Sequence, residues 1–331
     1  MTNQIILTNL LYLKDEVEFA LLISLLNKNE SAIFWAYELY YSGFNEELFN
    51  LLEKIYYYFF ATLNPKFKNF LNRKISEWNE HKDIQVINAI VSNLLIRPFN
   101  LDIFMLVHTC ISVKLPASID LLNWIEERKY STIAKYILHS SNEAEFSNLT
   151  KSSSRIEYLV NIMQQCTEKK GIKTGHNLYL ESHYIDPEIG VKPTLYKIME
   201  NHCKYGVNES GLICAFDIGR PKIYKKLQEL WRINWLYYAC GSPVWLERVE
   251  SYEGSLNNEK KSVVFPSKDL EEAFYNNFDL EPDEQKRETK EKIIPEISYV
   301  DTKEFYKNFK NANGIYVVNE KILDKIKRFH I

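Results

Sequence analysis

The residues best suited to chemistry lie in one basic stretch, on a predicted helix that begins at Pro221, because proline is favoured in the first helical turn. Tyr224 and Trp231 are interleaved with the basic residues. The lysines are spaced by three and four residues, so they share a helix face that can bind a phosphate backbone while neighbouring rings stack on bases. The predicted nucleic-acid-binding residues are Arg220, Lys222, Lys225, Lys226 and Arg232.

The same stretch also fits a structural role. The basic residues would then form a solvated outer face, while Leu227, Leu230 and Tyr238 on the opposite side pack into a core. Both interpretations stay open at the level of the sequence. A second and milder basic group has the same two interpretations and consists of Lys66, Lys68, Arg73 and Lys74.

Histidine and cysteine residues gather in the middle of the chain, and zinc accepts both as ligands. Structural zinc sites usually take paired ligands two to four residues apart, which this set lacks. On a helix, two adjacent residues would also point about 100 degrees apart. We therefore predict no metal site, and expect buried cysteines and surface histidines at His176, His183, His202, Cys203 and Cys214.

Acidic residues give no clear catalytic pair, although general acid–base catalysis needs two carboxylates that face each other across a cleft. No spacing distinguishes any candidate among the 44 acidic residues. Solvated surface carboxylates are the simpler interpretation of the candidates, which are Glu181, Asp186, Glu188 and Asp217.

Phosphate-binding loops are missing from the sequence. Gly206 and Gly211 have the spacing of a P-loop, but Leu212 and Ile213 stand where lysine and serine or threonine are required. The patterns GxGxxG, GxSxG and HExxH do not occur. The sequence therefore predicts no cofactor, no catalytic residues and no enzymatic activity, with an unrecognised helical active site as the open alternative.

The elements that position these residues are predicted to be helices. Gly43 is the single glycine in the first 170 residues, which contain only three prolines, and these two residue types are the usual interruptions of helical chains. Apolar residues recur at helical steps, as at Leu48, Leu52 and Ile55. Helices are expected at 15–28, 31–43, 45–63, 66–80, 83–97, 100–114, 117–128, 131–140, 154–170, 221–240 and 242–250.

The predicted fold class is all-α (mostly), either a multi-helix antiparallel bundle or an irregular helical-repeat array. A serine-rich stretch separates an N-terminal multi-helix unit at 1–145 from a second helical unit at 146–253. The run DLEPDEQKRETKEK is dense in both charges, which predicts a charged, flexible tether at 254–298. Apolar residues return in a predicted C-terminal docking tail at 299–331.

Composition indicates the compartment and the partners. The formal net charge of -3 gives no overall attraction to nucleic acid or to a membrane. Five cysteines without a CxxC pair indicate reduced thiols. The first residues lack a secretory signal, and the longest apolar stretch, Ile55 to Leu63, is too short to span a bilayer. We therefore predict a cytoplasmic protein, neither secreted nor transmembrane, with no membrane partner.

Two aromatic clusters, FWAYELYY at 34–41 and IYYYFF at 55–60, have two interpretations. They could line a groove for a partner helix, since tyrosine and tryptophan are favoured at interfaces. The preferred interpretation is a core position, with tyrosine hydroxyls reaching solvent at the edge.

Three phrases carry a resemblance to known proteins: SAIFWAYELYYSGFNEELFNLLEKIYYYFFATLNPKF, NLLIRPFN and INWLYYACGSPVWLERV. Together they resemble a protein family, without an assigned activity, of large nucleocytoplasmic DNA viruses of the mimivirus type. The chain is rich in Lys, Asn, Ile and Tyr, whose AT-rich codons suit that origin. The resemblance implies a viral source, with the host cytoplasm or the virus factory as the location, and carries no active-site residues.

The leading functional prediction is a non-catalytic helical scaffold or adaptor that contacts other proteins, because helices are dense and catalytic loops are missing. The alternative is a nucleic-acid-binding accessory factor for replication or transcription, with the basic helix at 220–232 as its contact. Binding to DNA or RNA would then depend strongly on salt.

Overall fold

The protein is mostly α-helical in the part that the computed structural model describes, which confirms the predicted fold class. The described residues are 6–12, 14–139, 154–166 and 234–278. They contain one π-helix, Tyr56–Phe60, and one antiparallel pair of strands, β1 (Ser255–Asn257) and β2 (Ser262–Val264). The α-helices are α1 (Lys14–Leu26), α2 (Ser31–Tyr41), α3 (Asn45–Ile55), α4 (Phe67–His81), α5 (Gln85–Leu95), α6 (Asp102–Cys110), α7 (Leu121–Glu126), α8 (Tyr130–His139), α9 (Ser154–Cys166), α10 (Trp235–Ala239), α11 (Pro243–Glu250) and α12 (Lys268–Phe278).

The chain forms two compact units, and each contains residues that are distant in sequence. Unit 1 joins the described residues up to Leu48 to 234–278, and unit 2 contains 49–139 and 154–166. These units differ from the predicted boundaries near 145 and 253. Hydrophobic periodicity reports local helices and carries no signal for pairing between residues some two hundred positions apart, so it could not join the first helices to 234–278.

Unit 1 is built around aromatic and aliphatic side chains of α1, α2, α10 and α11. The ring of Trp35 on α2 meets Tyr12 edge to face at 5.1 Å, and the ring of Trp245 on α11 meets Trp235 in the same way at 5.7 Å. Gly43 adopts φ +89, and Pro243 lies only 2.7 Å from where a Cβ would be. A side chain at position 43 would therefore be strained and would collide with the start of α11.

Residues 254–278 contradict the predicted tether, because they form the two strands and helix α12. The prediction followed the charged run and underweighted three phenylalanines that precede it. Phe265 and Phe278 both contact the fully buried Phe274, at ring distances of 5.1 Å and 5.0 Å. These contacts remove apolar ring surface from water and so favour folding of the segment. The rest of the predicted tether, 279–298, and the predicted tail, 299–331, lie outside the described residues.

Unit 2 has an aromatic core that includes most of the IYYYFF cluster. Tyr56, Tyr57, Phe59 and Phe60 are buried, and Phe59 stacks on Phe104 of α6 at 5.3 Å. The core interpretation of this cluster is confirmed. In unit 1 the FWAYELYY cluster buries Trp35, Tyr37 and Leu39 and leaves its remaining rings half-buried, so the core interpretation holds there as well.

Several helices end earlier than predicted. The helix expected over 45–63 gives way after Ile55 to the π-helix, whose wider turn is closed by the bond from Ala61 N to Tyr56 O at 2.8 Å. In the described part of the helix expected over 221–240, α10 begins at Trp235, after its N-cap residue Asn234, where φ is -104 and ψ is 28. Residues 221–233 lie outside the described part of the chain.

Helices α6 and α7 are both shorter than predicted, and irregular chain connects them. Pro116 cannot donate a backbone hydrogen bond and disfavours helical geometry in the residue before it. The side chain of Asp120 accepts a hydrogen bond from the backbone N of Asn123 at 3.0 Å, which caps α7 and fixes its start. The apolar residues between the two helices therefore have no helical face to share.

Candidate functional site

The residues predicted to bind nucleic acid lie outside the described part of the chain. The same holds for all five histidine and cysteine residues considered for zinc and for the four carboxylates considered for catalysis. Within the residues that the structure describes, no three His, Cys, Asp or Glu side chains come together as metal ligands. The nucleic-acid prediction therefore stays a prediction at Arg220, Lys222, Lys225, Lys226 and Arg232.

The second basic group lies on α4 and on Lys66, its N-cap residue. Glu77 on the same helix forms an ion pair with Lys74, and its Oε1 is 3.7 Å from Nε of Arg73. Lys68 is paired with a carboxylate of α9. Two carboxylates, Glu77 and Glu157, thus offset part of the positive charge of this group, which weakens its attraction for a phosphate backbone.

A polar cluster surrounds Glu157 in unit 2, next to the π-helix. One carboxylate oxygen of Glu157 pairs with Lys68, and the other accepts a hydrogen bond from the hydroxyl of Tyr57 at 3.0 Å. Burial raises the pKa of Glu53, and the negative charge of Glu157 raises it further. Two carboxylates, a lysine and a tyrosine could move protons or bind a cation. Both oxygens of the Glu157 carboxylate are already bonded here, one to Lys68 and one to Tyr57. The cluster therefore joins α9 to α4 and to the π-helix.

A second polar cluster holds residues 6–12, here called the N-terminal segment, in unit 1. Glu38 on α2 is buried, and its carboxylate accepts a hydrogen bond from the backbone N of Leu10 at 2.7 Å. The hydroxyl of Ser42, the residue that follows α2, accepts a hydrogen bond from the backbone N of Asn9 at 2.7 Å. The indole of Trp245 donates to the backbone oxygens of Thr8 and Asn9, both at 3.1 Å.

The electrostatics of this second cluster centre on Glu38. Burial raises the pKa of Glu38 to about 7, against the opposing effects of a hydrogen bond with Thr8, the Leu10 amide and the positive charge of Arg248. Burial also lowers the pKa of Arg248, whose guanidinium donates to Asn9 Oδ1 at 2.8 Å and lies 4.5 Å from the centre of the Trp245 ring. The cluster joins the N-terminal segment to α2 and α11, which are far apart in the sequence. Its polar groups form the hydrogen bonds that hold these elements together.

Exposed apolar side chains concentrate at one place, residues 111–122, here called the apolar segment. Among the described residues, seven large hydrophobic side chains are exposed, and four of them lie in these twelve positions. Folded proteins rarely leave several large aliphatic side chains in water within so short a stretch unless another surface covers them. The four are Ile111 (59% exposed), Leu115 (38%), Ile119 (55%) and Leu122 (75%).

The apolar segment is fixed at both ends. At its start, the ammonium of Lys135 on α8 donates to the backbone oxygen of Ile111 at 3.2 Å. At its end, the cap of Asp120 begins α7, and the buried Trp124 packs edge to face on Tyr136 at 5.8 Å. The segment is therefore presented by a folded helical support, which lowers the entropy lost when it binds a partner.

Charge around the apolar segment is balanced. From 111 to 129 the sequence carries three basic and three acidic residues. Such a surface has no net attraction for anionic lipid or for a nucleic-acid backbone, both of which need an excess of positive charge. Its apolar side chains are bordered by charges of both signs: Lys114, Asp120, Glu126, Glu127, Arg128 and Lys129.

Sequence reasoning missed this surface because it assigned 111–122 to the helices expected at 100–114 and 117–128. A signal was present in Pro116, which stands between Leu115 and two small residues and makes a continuous helix unfavourable. Four large aliphatic residues on both sides of such a break cannot all lie on one helix face. That conflict argues against continuous helix in this stretch.

No protein-family model, curated protein or solved structure matches this chain. No described helix has both the length and the apolar character needed to cross a membrane. The candidate site therefore rests on the geometry of the described residues alone.

Proposed function

We propose that this protein is a helical scaffold or adaptor that binds a protein partner through the apolar segment. The observation that carries the proposal is the group of four exposed aliphatic side chains on a folded support. Burying them against a partner would remove apolar surface from water at about 25 cal/mol per Å². The polar clusters around Glu38 and Glu157 favour a binding role over a catalytic one, because their groups are used in bonds within the fold.

The partner expected from this surface is a protein with an apolar groove or helix face and little net charge. An apolar centre with a polar, solvent-accessible rim is typical of protein interfaces. A viral source, implied by the sequence resemblance, stays a prediction and is not needed for the proposal.

The test is affinity purification of the tagged protein from its native cells, with half of the lysate treated with nuclease. The binding variant carries Ile119→Asp and Leu122→Asp, which place charge in the exposed surface without touching the buried core. The control carries Val264→Asp, at an exposed apolar residue of the hairpin in unit 1. We expect stoichiometric protein partners that survive nuclease, are lost with the double variant and are retained with the control.

The outcomes separate the competing functions. Partners that bind wild type and double variant equally would overturn the role of the apolar segment. Partners that disappear with nuclease would favour the nucleic-acid alternative, which a triple variant of Lys222, Lys225 and Lys226 to Glu then tests through its salt dependence. Loss of dimerisation in the double variant, measured by sedimentation velocity, would identify a second copy of the chain as the partner.

A further inference from the structure

The N-terminal segment is held in unit 1 by bonds from three directions. Its backbone N–H groups at Asn9 and Leu10 donate to Ser42 and Glu38 of α2. Its backbone oxygens accept from the indole of Trp245 on α11. A third bond joins the backbone N of Leu7 to the backbone oxygen of Tyr238 on α10, at 3.3 Å.

The segment is also strained and irregular, unlike the helices around it. Leu11 adopts φ +62, a left-handed conformation that is unfavourable for a residue with a branched side chain. Leu7 and Leu11 are nevertheless fully buried. Burial and the polar bonds together hold a backbone shape that the segment would not keep by itself.

Among these holding groups, Glu38 is the one whose charge can change near neutral pH. The titratable groups that face it in the described part of the chain are Tyr12 of the segment and Arg248 of α11; Glu247 acts on Arg248. The pKa of Tyr12 is raised further above its ordinary value by burial and by Glu38, so Tyr12 stays neutral in this range. Arg248 stays cationic. A change in protonation between mildly acidic and mildly alkaline pH therefore falls on Glu38.

We propose that the N-terminal segment is a pH-responsive latch, which is held closed while Glu38 carries a proton and opens more often once Glu38 is ionised. A protonated carboxyl group still accepts the Leu10 amide and is itself uncharged, and burial disfavours the ionised form by more than the positive charge of Arg248 favours it. An ionised carboxylate must remain in a site from which water is excluded, and release of the segment returns it to solvent. Opening also uncovers the rings of Trp35 and Trp245, which the closed segment contacts.

The sign and size of the response follow from proton linkage. The pKa of Glu38 is about 7 in the closed state, against 4.5 for a solvated glutamate. The closed state therefore binds the proton more tightly. The resulting stabilisation of the closed state is fully present below pH 4.5 and is lost as the pH rises through about 7. Between about pH 6 and about pH 8.5, the equilibrium constant for opening should rise about tenfold.

Hydrogen–deuterium exchange of the full chain tests the latch directly. Exchange is measured at both pH values and divided by the intrinsic rate at each pH, so only the opening equilibrium remains. We expect protection of the Asn9 and Leu10 amides to fall about tenfold from the lower to the higher pH, while helices α2 and α11 keep theirs. The Glu38→Gln variant keeps an acceptor for Leu10 and should lose the pH response, whereas Glu30→Gln, at an exposed residue before α2, should retain it.

Each other outcome overturns the latch. Equal protection of the segment at both pH values in the wild type would do so without any variant. A fall in protection that spreads in parallel over α2 and α11 would show global unfolding of unit 1. A Glu38→Gln protein that is folded by circular dichroism and keeps the tenfold response would assign the pH dependence to another group.

Discussion

The N-terminal segment and most of the apolar segment are irregular stretches with large aliphatic residues, yet these residues are buried in the first and exposed in the second. Leu7 and Leu11 of the first are fully buried, whereas Ile119 and Leu122 of the second are more than half exposed. The difference lies in what surrounds the backbone. The N-terminal segment meets side chains of two helices that satisfy its polar groups, while the apolar segment is held at its two ends by Lys135 and by the cap of Asp120.

This contrast shows that apolar content alone does not decide whether a connecting stretch is buried. A stretch without regular structure can enter a core only if its N–H and C=O groups find partners there. Glu38, Ser42 and Trp245 provide such partners for the N-terminal segment. The apolar segment can be covered from outside by a partner protein, whose side chains would not need to satisfy its backbone.

The largest expected effect comes from removing the indole that holds the N-terminal segment. Trp245→Ala should lower the free energy of unfolding by about 3–5 kcal/mol, because a buried ring and two hydrogen bonds are lost. Leu122→Ala in the apolar segment is the matched control and should change stability by less than about 0.5 kcal/mol. Urea denaturation measures the free energy of unfolding of both variants. A Trp245→Ala protein as stable as Leu122→Ala would contradict the difference between the N-terminal and the apolar segment.

A smaller effect is expected at Ser42, which accepts the Asn9 amide. Ser42→Ala should cost about 1 kcal/mol of unfolding free energy, since a half-buried donor loses its acceptor. Ser118→Ala, at an exposed serine of the apolar segment, should be neutral within the error of thermal or urea unfolding. Equal stabilities for the two variants would mean that water replaces the serine hydroxyl.

The smallest expected effect on stability is at Asp120, the cap residue at the end of the apolar segment. Asp120→Ala removes the cap of α7 and should cost about 1 kcal/mol or less. Asp120→Asn keeps a capping oxygen and should be nearly neutral. Partner capture should weaken with alanine and persist with asparagine, because the cap sets where the apolar segment ends; equal capture by both would show that this end need not be fixed.

The helical fold could be predicted from local rules, because scarce glycine and proline and helical spacing act within a few residues. The ends of the helices were harder to predict from the sequence. The π-helix at Tyr56–Phe60 depends on packing in the core. The early end of α6 depends on Pro116 and Asp120 in the connection that follows it. The hairpin and α12 were missed because a charged run outweighed Phe265 and Phe274.

The candidate site was harder to predict than the fold. The importance of Glu38 on α2 depends on Leu10 of the N-terminal segment and on Trp245 and Arg248 of α11, which lie far from α2 in the sequence. Exposure of Ile111 or Leu122 depends on the absence of a neighbour, and a single sequence does not encode that in any local pattern. The basic residues at 220–232 had a strong local pattern, and their role stays a prediction.

The bond between Trp245 and Thr8 joins residues 237 positions apart, and this has a consequence for synthesis on the ribosome. At about 5–20 residues per second, roughly 10–50 seconds separate the appearance of the N-terminal segment from that of its tryptophan. During that interval Leu7, Leu11 and the carboxylate of Glu38 lack part of their final surroundings. The first helices of unit 1 are thus among the earliest parts of the chain to be made and among the last to be completed, so they are where a chaperone would be expected to act.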